Sequence, residues 1–286
     1  MRHGTLLVAV VAIGLVLGGC GAAPEAVKEK TAAGEPASAS PVFESPIRVA
    51  TNGRADVLFL LEQASRWRRD IPRNFLQELE DKVGLYSEGR QLLRKFALVR
   101  NELFERQKKL LAKPTFDAPL GPSGIFPAAT DDLASRFWNA VLGSPAQRLG
   151  QALSGLMESQ DAELVSRAVA RFGPKAAKLV ARDEQFAEAL RAWSAKLRSI
   201  DVWKEIERFC LFAGVSPGGL SPVVVPVWAP RTAPLQATAY GGTVVVTVPD
   251  GEQPGPAHAL LALHEIGRMV LARMPAADKV RLTRLV

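Results

Sequence analysis

Cysteine, tyrosine and histidine are scarce in this chain of 286 residues, with two, two and three copies respectively. Cys20 and Cys210 could form one disulfide at most, which excludes a disulfide-stapled scaffold. The histidines are His3, His258 and His264, so a serine or cysteine triad has few bases to draw on, and no nucleophile lies in a recognisable elbow motif. The one glycine-rich stretch, Gly214 to Gly219, lacks the lysine and following helix of a phosphate cradle. Basic residues outnumber acidic ones to give a formal charge of +7. No basic stripe with interleaved aromatics accompanies that charge, so it points away from nucleic acid and towards weak attraction to anionic lipid headgroups or other polyanions. Long apolar runs are also missing, apart from one at the N-terminus. With 48% hydrophobic and 23% charged residues, a packed core is feasible, and no internal repeat is present.

The apolar run extends from Leu6 to Leu17, behind Arg2 and His3 and ahead of Gly18-Gly19-Cys20. A short positive region, an apolar core of about a dozen residues and small residues at the cut have the make-up of a secretory signal peptide. The core is too short for a permanent span, which needs about 20 apolar residues. With cysteine directly after the small pair, the segment resembles the lipobox of bacterial lipoproteins. That resemblance implies removal of residues 1–19, diacylation of Cys20 and attachment to membrane lipid in the bacterial cell envelope. Gly21 after the cysteine implies the outer membrane if the cell is Gram-negative. A lipidated Cys20 leaves Cys210 without a disulfide partner. Cys210 lies among apolar residues at helical spacing in Trp203 to Cys210, the setting of a buried structural thiol.

Residues 20–46, rich in Ala, Pro, Ser, Glu and Lys, carry too little apolar surface to offset ordering entropy and read as a disordered tether. Residues 47–217 read as a helical region. Ile47 to Ala50 suggests a short strand. Helices are expected from about Asp56 (Leu58, Leu61, with Phe59 and Trp67), from Pro72 to Val83 with Gly84 as terminator, and from Gln91 to Leu111. Thr115 to Ala129 is loop-like. Further helices follow from Leu133 to Gly143, from Ser144-Pro145, around Leu164 to Phe172 with a stop at Gly173-Pro174, and along the Phe186, Leu190, Trp193, Leu197 stripe. Residues 218–286 change character. Val223 to Trp228 is a strand that Pro226 demotes to an edge or bulge, and Gln236 to Val248 is a hairpin turning at Gly241-Gly242. Pro249 to Pro256 is a loop, and Ala257 to Met274 a strongly apolar helix. Helices, then a small antiparallel sheet, then one buried helix make an α+β fold.

The last helix carries Leu263-His264-Glu265-Ile266-Gly267-Arg268. This resembles the active-site helix of zincin metallopeptidases, His-Glu-x-x-His, in which imidazoles four apart bind Zn²⁺ and the glutamate is the general base. The upstream hairpin is where zincins place the edge strand that holds extended substrate. The resemblance covers about Val223 to Met274 and implies His264 as a metal ligand and Glu265 as catalytic, if the site is active. The sequence departs from the pattern at Arg268, which stands where the second histidine belongs. A guanidinium has no lone pair and stays protonated. His258, six residues before His264, points about 120° away around the helix. The metzincin third-ligand position is Met274, and Asp278 is the one acidic residue after Glu265. An ion pair between Glu265 and Arg268 is expected in place of a metal, since residues three apart share a face.

Three functions stay open. One is a non-catalytic, peptidase-like envelope lipoprotein that binds a protein or peptide along the hairpin edge. The second is a zinc metallopeptidase with an atypical site, and the third a structural lipoprotein without ligand. The ending after Met274 reads as a domain cut short, whose exposed apolar face would need a partner.

Overall fold

The computed structural model describes residues 44–65, 84, 86–111, 133–180, 183–231, 233–275 and 277–279. The signal segment, Cys20, the tether, the helix expected from Pro72 and the loop from Thr115 to Ala129 lie outside the described residues. β1 is Arg48–Val49, α1 Gly53–Ala64, α2 Ser87–Leu111, α3 Leu133–Gly143, α4 Leu149–Leu153 and α5 Ser159–Leu179. α6 is Glu184–Leu197, α7 Ile200–Phe212, β2 Val223–Ala229, β3 Ala237–Tyr240, β4 Thr243–Pro249 and α8 Pro256–Arg273. The fold is α+β, with helices on both faces of one four-stranded sheet. Among the described residues, no helix is long and apolar enough to cross a membrane.

The sheet is mixed rather than antiparallel throughout. Its order is β1-β2-β4-β3, with β1, β2 and β4 parallel and β3 antiparallel to β4. After β2, the segment from Pro230 to Gln236 carries the chain past the neighbouring position to the outer edge. β3 then reverses it, and β4 folds back into the gap beside β2. The reversal at Gly241-Gly242 is a two-residue turn between the paired Tyr240 and Thr243, and Gly241 sits at φ +62°. A positive φ at the first turn residue suits the right-handed twist of a hairpin, and glycine adopts it without a Cβ clash.

The run of valines in β2 and β4 follows from burial on both sides. Val225, Val227 and Val245 face the cluster built by α1 to α5, which includes Phe96, Phe137, Trp138 and Phe172. Val224, Val244 and Val246 face α6, α7 and α8, with Trp193, Ile206, Cys210, Ala262 and Ile266. Each of these buried valines contributes about 1.5 kcal/mol through apolar area removed from water.

One proline departs from expectation, and the other meets it only because a neighbouring strand ends early. Pro226 lies inside β2, a strand with neighbours on both sides. Val223 N–H bonds towards β4 at Gly242 O, so by alternation Val224, Pro226 and Trp228 face the β1 side. β1 ends at Val49, and its last bond across is Ala50 N–H to Val224 O, at 3.0 Å. The amide that Pro226 lacks therefore points where no strand lies among the described residues. The next amide on that side, Trp228 N–H, donates to the Asp56 carboxylate of α1 at 2.9 Å. Among the described residues, β2 is a central strand in its first half and an edge in its second.

Gly173-Pro174 does not end its helix; α5 runs through to Leu179. Phe172 and Ala176 are both buried four apart on one face, so continued packing outweighs the lost backbone bond. The carbonyl left without its amide belongs to Ala170, on the exposed side. The other expected helices stand close to their places. Asn52 caps α1, accepting from Arg54 N–H at 3.0 Å, which starts that helix at Gly53. Gly84 has φ +64°, and the helix it was expected to terminate lies outside the described residues.

α1 is buried from Ala55 to Ala64, Glu62 included. Glu62 Oε1 receives Arg100 Nη2 of α2 at 2.7 Å and Trp138 Nε1 of α3 at 3.1 Å. Both charged side chains are essentially inaccessible, at 0% and 2% exposure. Arg100 also lies over the Phe137 ring, 4.2 Å from its centroid, and Trp138 stacks on Tyr240 at 4.5 Å. Removing one partner strands a buried charge, so Glu62→Ala is expected to lower unfolding stability by about 3–5 kcal/mol. Urea denaturation of the two proteins checks this; a loss no larger than that of a surface substitution would refute it.

Candidate functional site

α8 supplies the residues with chemistry. Pro256 opens the helix, and His258 two residues later is buried, its Nδ1 accepting from Gly255 N–H at 3.1 Å. Burial lowers the His258 pKa, the nearby Glu252 charge opposing it. A neutral ring whose Nδ1 accepts an amide proton caps the helix start, so His258 belongs to the scaffold and stays apart from His264.

About two turns on, α8 passes beneath β3, and there Glu265 is held from three directions. Its Oε2 accepts Ala239 N–H of β3 at 3.1 Å. Arg268 Nη1 donates to Oε1 at 3.0 Å and to Oε2 at 3.3 Å. His264 Nδ1 lies 3.2 Å from Oε1 and donates in the tautomer that protonates that nitrogen. The carboxylate is 5% exposed, whereas His264 and Arg268 are 26% and 35% exposed. The ion pair expected between Glu265 and Arg268 is present, with Glu265 on the buried side.

Burial by itself would raise the Glu265 pKa. The His264 hydrogen bond, the charge and hydrogen bond of Arg268 and the Ala239 amide outweigh it, holding the carboxyl below its usual range. The group is thus ionised and fully engaged, a poor acceptor for a further proton. Asp278 sits far from it, at the other end of α8 beside Gly214. Nine residues of helix rise separate the end of α8 at Arg273 from His264, or about 14 Å. Among the described residues no three His, Cys, Asp or Glu side chains gather where they could hold one ion. With Arg268 beside the only imidazole and carboxylate of this cluster, the donor set does not fit zinc.

β3 contributes backbone. Thr247 N–H bonds to Gln236 O, so by alternation Thr238 and Tyr240 face β4 while Ala237 and Ala239 turn their polar groups outward. Ala239 N–H confirms that direction by reaching Glu265. Sequence reasoning reached His264, Glu265 and Arg268 but missed this amide. An alanine in a strand carries no side-chain signal of its backbone bond.

Cys210 is a buried thiol in α7, and burial pushes its pKa up, with the Arg273 charge opposing and the Glu207 charge adding to it. That is the setting of an inert structural cysteine. Compared with family models, with curated proteins and with solved structures, the chain matches none.

The depressed Glu265 pKa makes part of the stability dependent on pH. A carboxylate with a lowered folded-state pKa contributes stability that is present above its unfolded value and lost as pH falls through the folded value. Relative to Glu265→Gln, the wild-type advantage should be full near neutrality, begin to shrink near the unfolded carboxyl value of about 4.3, and be lost as pH falls through the lower folded value. Paired denaturation curves from about pH 3 to 7 measure it; a constant gap across that window would show that the ionised carboxylate is not what stabilises the fold.

Proposed function

We propose that this chain is a lipid-anchored protein of the bacterial cell envelope that binds an extended peptide along β3 and does not cleave it. The observation that carries the reading is the triple engagement of Glu265. A general base needs a carboxylate with a free lone pair near a metal-bound or otherwise polarised water. Here Arg268 takes both oxygens and Ala239 N–H takes one, so Glu265 ties the helix to the edge strand.

The strand itself supplies the binding chemistry. Among the described residues β3 closes the sheet on one side, and Ala237 and the Ala239 carbonyl face away from β4, the direction in which another chain could pair. The hairpin-and-helix likeness to zincins supports an extended peptide as the ligand. The apolar run from Leu6 to Leu17 and the Gly18-Gly19-Cys20 segment support the anchor on Cys20.

Two measurements test the reading. In amide spectra, an extended decapeptide of alternating valine and threonine should perturb Ala237 to Tyr240 first. Ala237→Pro removes one outward amide and should weaken binding by about tenfold, the equivalent of about 1.4 kcal/mol and of one net hydrogen bond. Perturbation elsewhere, with β3 unmoved, would overturn the assignment. Zinc content after dialysis against a weak chelator should be near zero per chain. Near one zinc per chain, with cleavage that Glu265→Gln abolishes, would replace this reading with that of a metallopeptidase.

A further inference from the structure

Ala237 and Ala239 are the residues of β3 whose backbone polar groups turn away from β4. Their outward groups are not equally free. Ala239 N–H already donates to Glu265 Oε2, at 3.1 Å. That oxygen lies at hydrogen-bond distance in the direction of a further strand, so it occupies the place where a carbonyl of such a strand would sit. Ala237 N–H, Ala237 C=O and Ala239 C=O remain, with no strand beside them among the described residues.

Glu265 has no room for another donor. An ionised carboxylate offers about four lone-pair sites. Oε1 meets Arg268 Nη1 and His264 Nδ1, and Oε2 meets Ala239 N–H and Arg268 Nη1. A peptide amine arriving here would find no free acceptor on Glu265 and would meet the Arg268 charge. Donors, by contrast, are left over. Arg268 spends only Nη1, so its Nε–H and Nη2–H groups have no partner among the described residues, and the side chain is 35% exposed. His264, one turn back on the same face of α8 and 26% exposed, adds a donor at Nε2 when its ring is protonated. β3 itself, Ala237 to Tyr240, brings no carboxylate. The unspent chemistry at this edge is that of a receiver for an anion.

We infer that the peptide site on β3 takes the C-terminal end of its ligand, with the α-carboxylate received by Arg268. The inference rests on the peptide-binding reading above and adds which part of the peptide is recognised. In a strand running parallel to β3, Ala237 N–H donates to one carbonyl of the ligand, and Ala237 C=O accepts the N–H two residues on. The carbonyl of that second residue then points at Ala239 N–H, where Glu265 already stands. A ligand that continues past this residue sets a carbonyl against a carboxylate with no proton between them. A ligand that stops there presents a carboxylate free to turn towards Arg268, whose planar fork can bridge it to Glu265. With His264 protonated, two cations face two carboxylates.

The test uses the isotope-labelled full chain and the decapeptide of alternating valine and threonine in three forms: free at both ends, amidated at the C-terminus, and acetylated at the N-terminus. Both free-acid forms should bind about tenfold more tightly than the amide, the loss expected when a charge-assisted hydrogen bond is removed. The Arg268 Nε–H signal should shift with the acids and not with the amide. Arg268→Gln should bring acid and amide to one affinity; the ratio is the readout, and should this variant fail to fold, the wild-type ratio decides. Equal affinities for acid and amide, with Ala237 to Tyr240 perturbed by both, would keep the peptide reading and overturn this inference. No perturbation of β3 by any form would overturn both. A preference for the free amine, or perturbation of β3 on raising protein concentration without peptide, which marks a second copy as the occupant, would overturn it as well.

Discussion

The Glu62 carboxylate is the point on which the helical half of this structure turns. It is inaccessible, it belongs to a helix buried along nearly its whole length, and it joins α1 to α2 through Arg100 and to α3 through Trp138. An isolated charge in such a place would be prohibitive, so the partners have to be present and correctly aimed. That requirement fixes where α2 and α3 sit. Trp138 then passes the constraint onward, since its ring stacks on Tyr240 at the end of β3. The placement of the edge strand, and with it the amide that meets Glu265, depends on a charge pair on the far side of the sheet.

Much of this was legible in the sequence, in proportion to how local the signal was. Helix stripes such as Trp193 and Leu197, the Gly241-Gly242 hairpin and the apolar helix of His264 are periodic or turn signals, and they stand where their residues put them. The Glu265–Arg268 pair followed from three-residue helical spacing alone. What could not be read was long-range. Pro226 signals an edge, and it occupies one, but only because β1 stops two residues into the pairing. Pro174 signals a stop, and burial of Phe172 and Ala176 overrode it. Glu62 and Arg100 look like ordinary charges on amphipathic helices, since nothing near them in sequence announces that both faces of α1 are covered. The antiparallel β3 hid the parallel relation of β2 to β4 in the same way.

The candidate site uses a side chain to complete backbone structure, and it does so twice in this fold. Asp56 takes the Trp228 amide where β1 runs out, and Glu265 takes the Ala239 amide where β3 has no outer strand among the described residues. Both are acidic residues buried on helices that cross the sheet, one on each face. A carboxylate at such a place does the work of a missing strand, satisfying an outward amide that would otherwise face a partly dry environment. Beside Glu265 stand a guanidinium and an imidazole, both reachable from solvent.

The pairing of β2 with what surrounds it has a kinetic consequence. Asp56 and Trp228 are 172 residues apart, and β1 meets β2 across a comparable stretch. The sheet side of α1 cannot be covered, nor Asp56 find its amide, until the last third of the chain is available. Contacts of such separation close slowly, and the chain stays open while they form. A molecule built this way emerges from synthesis with a helix that ends up buried along nearly its whole length still partly unsheltered, a form that a chaperone can hold before it folds.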